Sequence, residues 1–438
     1  LTLNKKTTMN ELIQESKVVS FVEHLPKTML PFNNDLLSKA SDVLKSIDFP
    51  TTRSEAWKYT RVGRIASIST GNQVAREGKN LSREDINSSY QVSKAGLTFV
   101  FENGVFRSDL SSGEFPVGAT IKPLTGCDKE ELSIVGKSLQ LDNEVFHAMN
   151  TAHAVDGMYI SINDKTVIDA PIQLIHLITG KNTISNLRNF IQIGKFAKAE
   201  IMQSYFALDA ETSLTNVITE VNVAENAHLT INKLQYEAEG NYHIATEQVD
   251  QAKDSTFTIN TMTLDGTLVR NNLNIEVNGV NCMTNLHGAY VLKSNQHVDN
   301  HTIVDHKQPH CESNELYKGV MDEKSTGVFN GKVFVRKDAQ KINAFQSNGN
   351  VLLSDDATVD SKPELEIYAD DVKCSHGSTT GQLDEEAVFY LRARGISEKS
   401  ARHLMVAAFI GDVLSKIEND EFRDFTHTLL QERFGWEF

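Results

Sequence analysis

Cysteine is scarce in this chain of 438 residues, and the four present, Cys127, Cys282, Cys311 and Cys374, stand far apart with no Cys-x-x-Cys pair. That spacing argues against a disulfide framework or a zinc-finger module, and reduced thiols are expected. No run of about 18 apolar residues occurs, so no transmembrane helix is expected, and the N-terminal residues lack the apolar stretch of a secretion signal. A cytoplasmic location is therefore expected. Positive charge is also short: 43 Lys and Arg against 58 Asp and Glu give a formal charge of −15. A surface that wraps nucleic acid needs clustered Lys and Arg, so nucleic acid is not expected as a partner, whereas a basic protein remains open. A phosphate loop, a dinucleotide fingerprint, a nucleophile elbow and a complete metal-ligand motif are all missing. The chain is not read as a self-sufficient enzyme.

What is present divides the chain into three regions, 1–155, 156–381 and 382–438. The first is helical and mixed. Apolar residues at helical spacing predict helices over 9–25 and 34–47, punctuated by Pro31 and Pro50, and another over 142–154. Residues 1–8 carry no pattern. A short strand is expected at 97–101. The segment Thr52-Arg53-Ser54-Glu55-Ala56-Trp57-Lys58-Tyr59-Thr60 holds no activated nucleophile and reads as a surface segment anchored by its aromatic residues. His147 and His153 read as ordinary histidines.

The middle region consists of short runs rich in Val, Ile, Thr and Phe: 172–178, 189–193, 200–206, 216–223, 228–234, 256–263, 273–277, 282–292, 328–335, 342–345 and 351–353. Such runs between turn residues predict an all-β sandwich, barrel or solenoid. A loose recurrence favours the solenoid: a polar turn, a small residue, then an alternating strand, as at 225–231, 254–259, 338–342 and 355–359. Stacked coils bury an interior that no single repeat could bury, and their ends need caps, for which the flanking helical regions are the natural material.

The tail reads as helices. Asp384 and Ser397 are suited to N-caps, Gly395 to a left-handed stop and Ile396 to a staple. On the second helix Ala401, Leu404, Met405, Ala408, Phe409, Val413, Leu414 and Ile417 form a broad apolar stripe that packs on the chain's own core or on a partner.

Three clusters invite chemistry. His297, His301, His306 and His310 with Cys311 suggest a metal nest, but His301 and His306 fall on opposite faces of a strand and 305–309 reads as a loop. The pairs Asp355-Asp356 and Asp370-Asp371 suggest the acids of a polysaccharide-cleaving β-helix, yet adjacent aspartates point oppositely on a strand and favour turns. In Lys373-Cys374-Ser375-His376-Gly377, alternation puts Cys374 and His376 on one face about 7 Å apart, able to touch a common ligand. Two donors do not complete a zinc or iron-sulfur site. The pair is either a half-buried thiol beside a bonded imidazole, or half of a site completed by another chain.

The residues around this pair, Pro363-Glu364-Leu365-Glu366-Ile367-Tyr368-Ala369-Asp370-Asp371-Val372 before it and Gly381-Gln382-Leu383-Asp384-Glu385 and 389–396 after it, resemble the SufB/SufD family of iron-sulfur cluster assembly proteins. So do the 52–60 segment and Glu315-Leu316-Tyr317-Lys318-Gly319, so the resemblance spans nearly the whole chain. It implies a mainly β protein with a right-handed parallel β-helix core flanked by N-terminal and C-terminal helical regions. It further implies a non-catalytic subunit of a SufBCD complex, pairing with SufB through the β-helix and docking the ATPase SufC through the C-terminal helices, with Leu404, Met405, Phe409 and Val413 at that contact. His376, and less directly Cys374, become candidate iron or cluster ligands at the SufB interface. No cofactor is expected on the chain alone, a transient cluster is expected in the complex, and a homodimer is open for the isolated chain. A SufB-like paralogue is the near alternative, but SufB-like sequences carry a Cys in the stretch matching 354–357 and a Glu after the matching histidine, where this chain has Gly377. A β-helix enzyme acting on polysaccharide or acyl groups is the distant one.

Overall fold

A computed structural model describes residues 16–69 and 81–435 of the chain. Residues 1–15, including the start of the helix expected over 9–25, lie outside that description; the described part of that helix is Lys17–Val22. The core is a parallel β-solenoid, the one of the three architectures open to these short runs that the recurring turn favours. Lys198 lies opposite His228, His228 opposite Thr256, Thr256 opposite Met283 and Met283 opposite Glu312, so each coil takes about 30 residues.

Each coil gives one strand to each of two facing stacks. One stack runs through His228–Tyr236, Thr256–Asp265, Met283–Leu292, Glu312–Met321, Ile342–Leu352 and Val372–Gly381. The other runs through Asn241–Gln251, Leu268–Val277, His297–His306, Thr326–Val335 and Thr358–Ile367. Two long strands, Ile172–Ile193 and Lys198–Val223, pass through both stacks, and their mutual register shifts where they turn, between Thr179 and Lys181. The first stack already begins at Leu97–Glu102, which pairs in parallel with the start of Ile172–Ile193.

In-register pairing stacks like on like. Val221, Val249, Ile275, Val304 and Val333 form one buried inward column. Burying each such side chain contributes roughly 1.5–3 kcal/mol. The recurring turn has a physical basis too. Asn226, Asp254, Asn281 and His310 take left-handed backbone (φ between 56° and 62°), and each is followed by a small buried residue: Ala227, Ser255, Cys282 and Cys311. Asn and Asp tolerate that conformation best among residues with a Cβ, and the side chain after it stacks at a tight corner where only a small group fits. Cys282 and Cys311 are therefore successive corner residues, joined by a hydrogen bond from the Cys282 N–H to Cys311 Sγ at 3.4 Å.

The helices do not cap the coil ends as expected. They cover the two outer faces instead. Asn34–Ser46 and Val145–His153 pack with Trp57 over Leu214, Ile218, Tyr242, Ile244 and Leu268, the outward residues of one stack. The C-terminal helices Glu398–Leu414 and Asp420–Phe434 pack over Met262, Ala289, Val291, Val320 and Val351 of the other. Both faces carry outward apolar rows that water would otherwise meet, so that is where the amphipathic helices bury most surface. The expected caps are present: Asp384 accepts from the N–H groups of Glu386 and Ala387, Ser397 accepts from Ser400, and Gly395 is left-handed at φ +90°.

Candidate functional site

With the helices on the faces, the last coil is left open. The strand Val372–Gly381 pairs on one edge with Ile342–Leu352, and no described strand pairs with its other edge. The same holds for Thr358–Ile367, paired only with Thr326–Val335. Two sheet edges with free N–H and C=O groups thus end the solenoid side by side, an arrangement that invites strand pairing with another chain. Ile367 and Tyr368 stand exposed beside them.

Cys374 and His376 lie on that last strand, on its inward side. Cys374 sits on Ala344, half-buried against the solenoid core, and burial pushes its thiol pKa up. His376 sits on Gln346 and is exposed at the open end. The two therefore share a face as the alternation predicts, and the thiol is the more sequestered. Gly377, which follows, has no atom near the position a Cβ would take. A groove of about 800 Å³ reaches this end of the molecule, lined by His376, Phe345, Gln346, Asn314, His287 and Lys416 among others.

Beneath His376 lies a feature that sequence reasoning missed. The inward column Ile201, Ile231, Ile259, Leu286 is apolar, and then it changes to Glu315, Gln346 and His376 over the last three coils. Gln346 Nε2 donates to Glu315 Oε2 at 2.6 Å, and both residues are buried. Burial pushes the Glu315 carboxyl up to about 7. Polar residues at intended core positions were the available signal, but it becomes visible only once the register is known. Ser378, two residues further along the same strand, is bonded to Ser361 at 2.8 Å.

The other two clusters dissolve into structure. His297, Asp299 and His301 face outward, whereas His306 faces inward and bonds Ser313 at 2.9 Å, and His310 is a left-handed corner. Among the described residues no group of three His, Cys, Asp or Glu is placed to hold a metal ion. Asp355 and Asp356 form a turn, and Asp370 and Asp371 lie at a bend where Asp371 pairs with Lys341 at 2.5 Å.

The 52–60 segment is held by this outward face. Arg270 lies 3.9 Å over the Trp57 ring and donates to Asp299 at 2.7 Å, Thr60 bonds His297 at 2.8 Å and also reaches Asp299, and Glu55 pairs with Lys362 at 2.7 Å. Burial works against the Asp299 carboxylate, but Arg270 and His301 overcome it and hold its pKa low. The segment is thus an anchor that straps the N-terminal helices to the solenoid.

In the tail, Val413 is wholly buried against the solenoid, so its side chain serves the chain's own core. Met405 and Phe409 are half-buried on the same core, and Lys318 of the Glu315-to-Gly319 motif donates to the Phe409 carbonyl at 2.8 Å with its ammonium 4.4 Å over the ring. Leu404 is half-buried and does not belong to that core; Phe389 and Tyr390, on the preceding helix Glu385–Arg392, are exposed at 70% and 57%.

Residues 176–409 match the family model described as the SUF system FeS cluster assembly, SufBD core domain, and residues 10–174 match the SufBD protein N-terminal region. An iron-sulfur cluster assembly SufBD family protein of Synechocystis is 32% identical over 392 residues, 86% of each chain. The iron-sulfur cluster assembly protein SufD of Escherichia coli is 28% identical over 378 residues, 85% of this chain and 86% of the relative. A chloroplastic protein of Arabidopsis thaliana is 29% identical over 417 residues, covering 91% and 85%. With the solenoid, the open last coil and these matches together, the chain belongs to the SufBD family of iron-sulfur cluster assembly proteins and is a homologue of SufD.

Proposed function

We propose that this chain is the SufD-type, non-catalytic subunit of a SufBCD assembly complex. It pairs with SufB through the open end of its solenoid and docks the ATPase SufC through its C-terminal helices, and it acts in the cytoplasm. The observation that carries this reading is the placement of an exposed imidazole, His376, on the inward side of an uncovered edge strand. A partner strand laid along that edge brings its own donors next to His376, with Cys374 behind it. A neutral imidazole offers a lone pair to iron, and the iron or nascent cluster is the cargo of the joint site. Two donors from one chain are too few to hold a cluster, so the isolated subunit holds none stably. ATP is hydrolysed by SufC, since this chain has no phosphate loop. Without SufB, the same free edge pairs with a second copy.

The test is co-purification with SufB and SufC followed by anaerobic cluster reconstitution, read by absorbance. His376→Ala is expected to lower cluster yield while leaving the melting temperature unchanged, because the side chain is exposed. Normal yield from that variant refutes the ligand role. Cys374→Ser in parallel decides whether the thiol shares it.

A further inference from the structure

His376 has no hydrogen-bond partner among the described residues, although it lies directly above Gln346 in the ladder. Neighbours in register on parallel strands are about 4.8 Å apart, within reach for a side-chain hydrogen bond. Gln346 is only 3% exposed, and its Oε1 is buried without a partner. The orientation of this amide is fixed from below when Glu315 is ionised: a carboxylate only accepts, so the contact at 2.6 Å is then made by the amide NH2. That leaves the amide carbonyl as the one group of Gln346 without a bond, under a histidine that also has none.

We propose that Gln346 is the positioning residue for His376: its Oε1 accepts the N–H of one ring nitrogen, which fixes the neutral tautomer and turns the other nitrogen's lone pair toward the open end. Glu315 supports this by holding the amide the right way round. The inference rests on the reading of His376 as an iron ligand and deepens it. A ligand histidine works best when its second nitrogen donates to an oxygen, since this orients the ring and raises its basicity. Without Gln346 the ring would rotate freely and divide between two tautomers. The room Gln346 occupies is made by Gly331, where a Cβ would collide with the Gln346 amide nitrogen.

The test uses the full chain with nitrogen-15 in its histidine rings, His376 being assigned as the signals lost in His376→Ala. Because burial pushes Glu315 up to about 7, spectra at about pH 8 keep it ionised. The expected result is two widely separated ring-nitrogen signals for His376 in the wild type, one protonated and one not. In Gln346→Met, which keeps the volume, the separation is expected to collapse toward a tautomer average. The exchanged pair Glu315→Gln with Gln346→Glu restores donor below and acceptor above, and is expected to recover the separation. Unchanged separation in Gln346→Met overturns the proposal. Should that variant fail to fold, Gln346→Leu removes the same carbonyl, and a separation kept there overturns the proposal equally. The readout needs no iron, so it is independent of cluster yield: normal yield from His376→Ala would end the ligand reading while leaving the tautomer result intact.

Discussion

At the scale of single residues, the charged groups of the outward face around residues 52–60 are fastenings. Arg270 is the clearest case. It is 3% exposed, stacked on Trp57 and paired to Asp299, which is 1% exposed. Breaking one side of a buried pair strands the other charge, so Asp299→Asn is expected to cost about 3–5 kcal/mol in urea unfolding. Trp57→Ala removes a large buried ring and opens a cavity, at a cost of about 3–5 kcal/mol. Neither change touches the open end. Each should leave the cluster yield per folded complex near that of the wild type, and a specific assembly defect at normal stability would contradict the anchoring role given to residues 52–60. His376 differs from all of these because it is exposed at the open end.

At the scale of elements, the helix Glu398–Leu414 has one face buried on the solenoid and one partly exposed, and the function proposed above gives the second to SufC. Val406, Ile410, Val413 and Leu414 are buried on the solenoid, whereas Leu404 is half-exposed. Val413→Asp buries a charge with no partner and should lower the melting temperature sharply. Leu404→Asp should leave melting nearly unchanged and weaken SufC binding, as should Tyr390→Asp; a pull-down against purified SufC separates the cases. Strand interiors are equally specific. Gly319 lies where a Cβ would enter the Tyr290 ring, which spans a coil to bond Asn350 at 2.8 Å. Gly319→Ala therefore overpacks the solenoid and should cost about 1–3 kcal/mol in the same unfolding assay.

At the scale of the whole molecule, the buried histidines make stability depend on pH. Burial lowers His147, His287 and His306 from 6.5 to about 4. The folded chain thus binds fewer protons than the unfolded chain between those values, and stability is present above pH 6.5 and lost as pH falls toward 4. Each contributes on the order of 3 kcal/mol across that window. Glu315 works the other way: raised from 4.5 to about 7, its share is present below 4.5 and lost as pH rises through 7. The expected result is a steep fall of the urea midpoint from pH 6.5 to 4, made shallower by His306→Gln and not by exposed His376→Ala; a flat profile would contradict the burial. The sequence by itself determined the local features of each coil. Residues such as Asn226-Ala227 and Asp254-Ser255 fix the corner, alternating Val and Ile fix the inward face, and Asp384 and Ser397 start the tail helices, because turns, pleat and caps are local. It also determined that Cys374 and His376 share a face. It could not say that the helices would cover the faces and leave the last coil bare, since that depends on which outward rows stay apolar after stacking. Nor could it show Gln346 and Glu315 beneath His376. They lie 30 and 61 residues before it in the chain, and only the register of three successive coils, set by long-range pairing, brings them into one column.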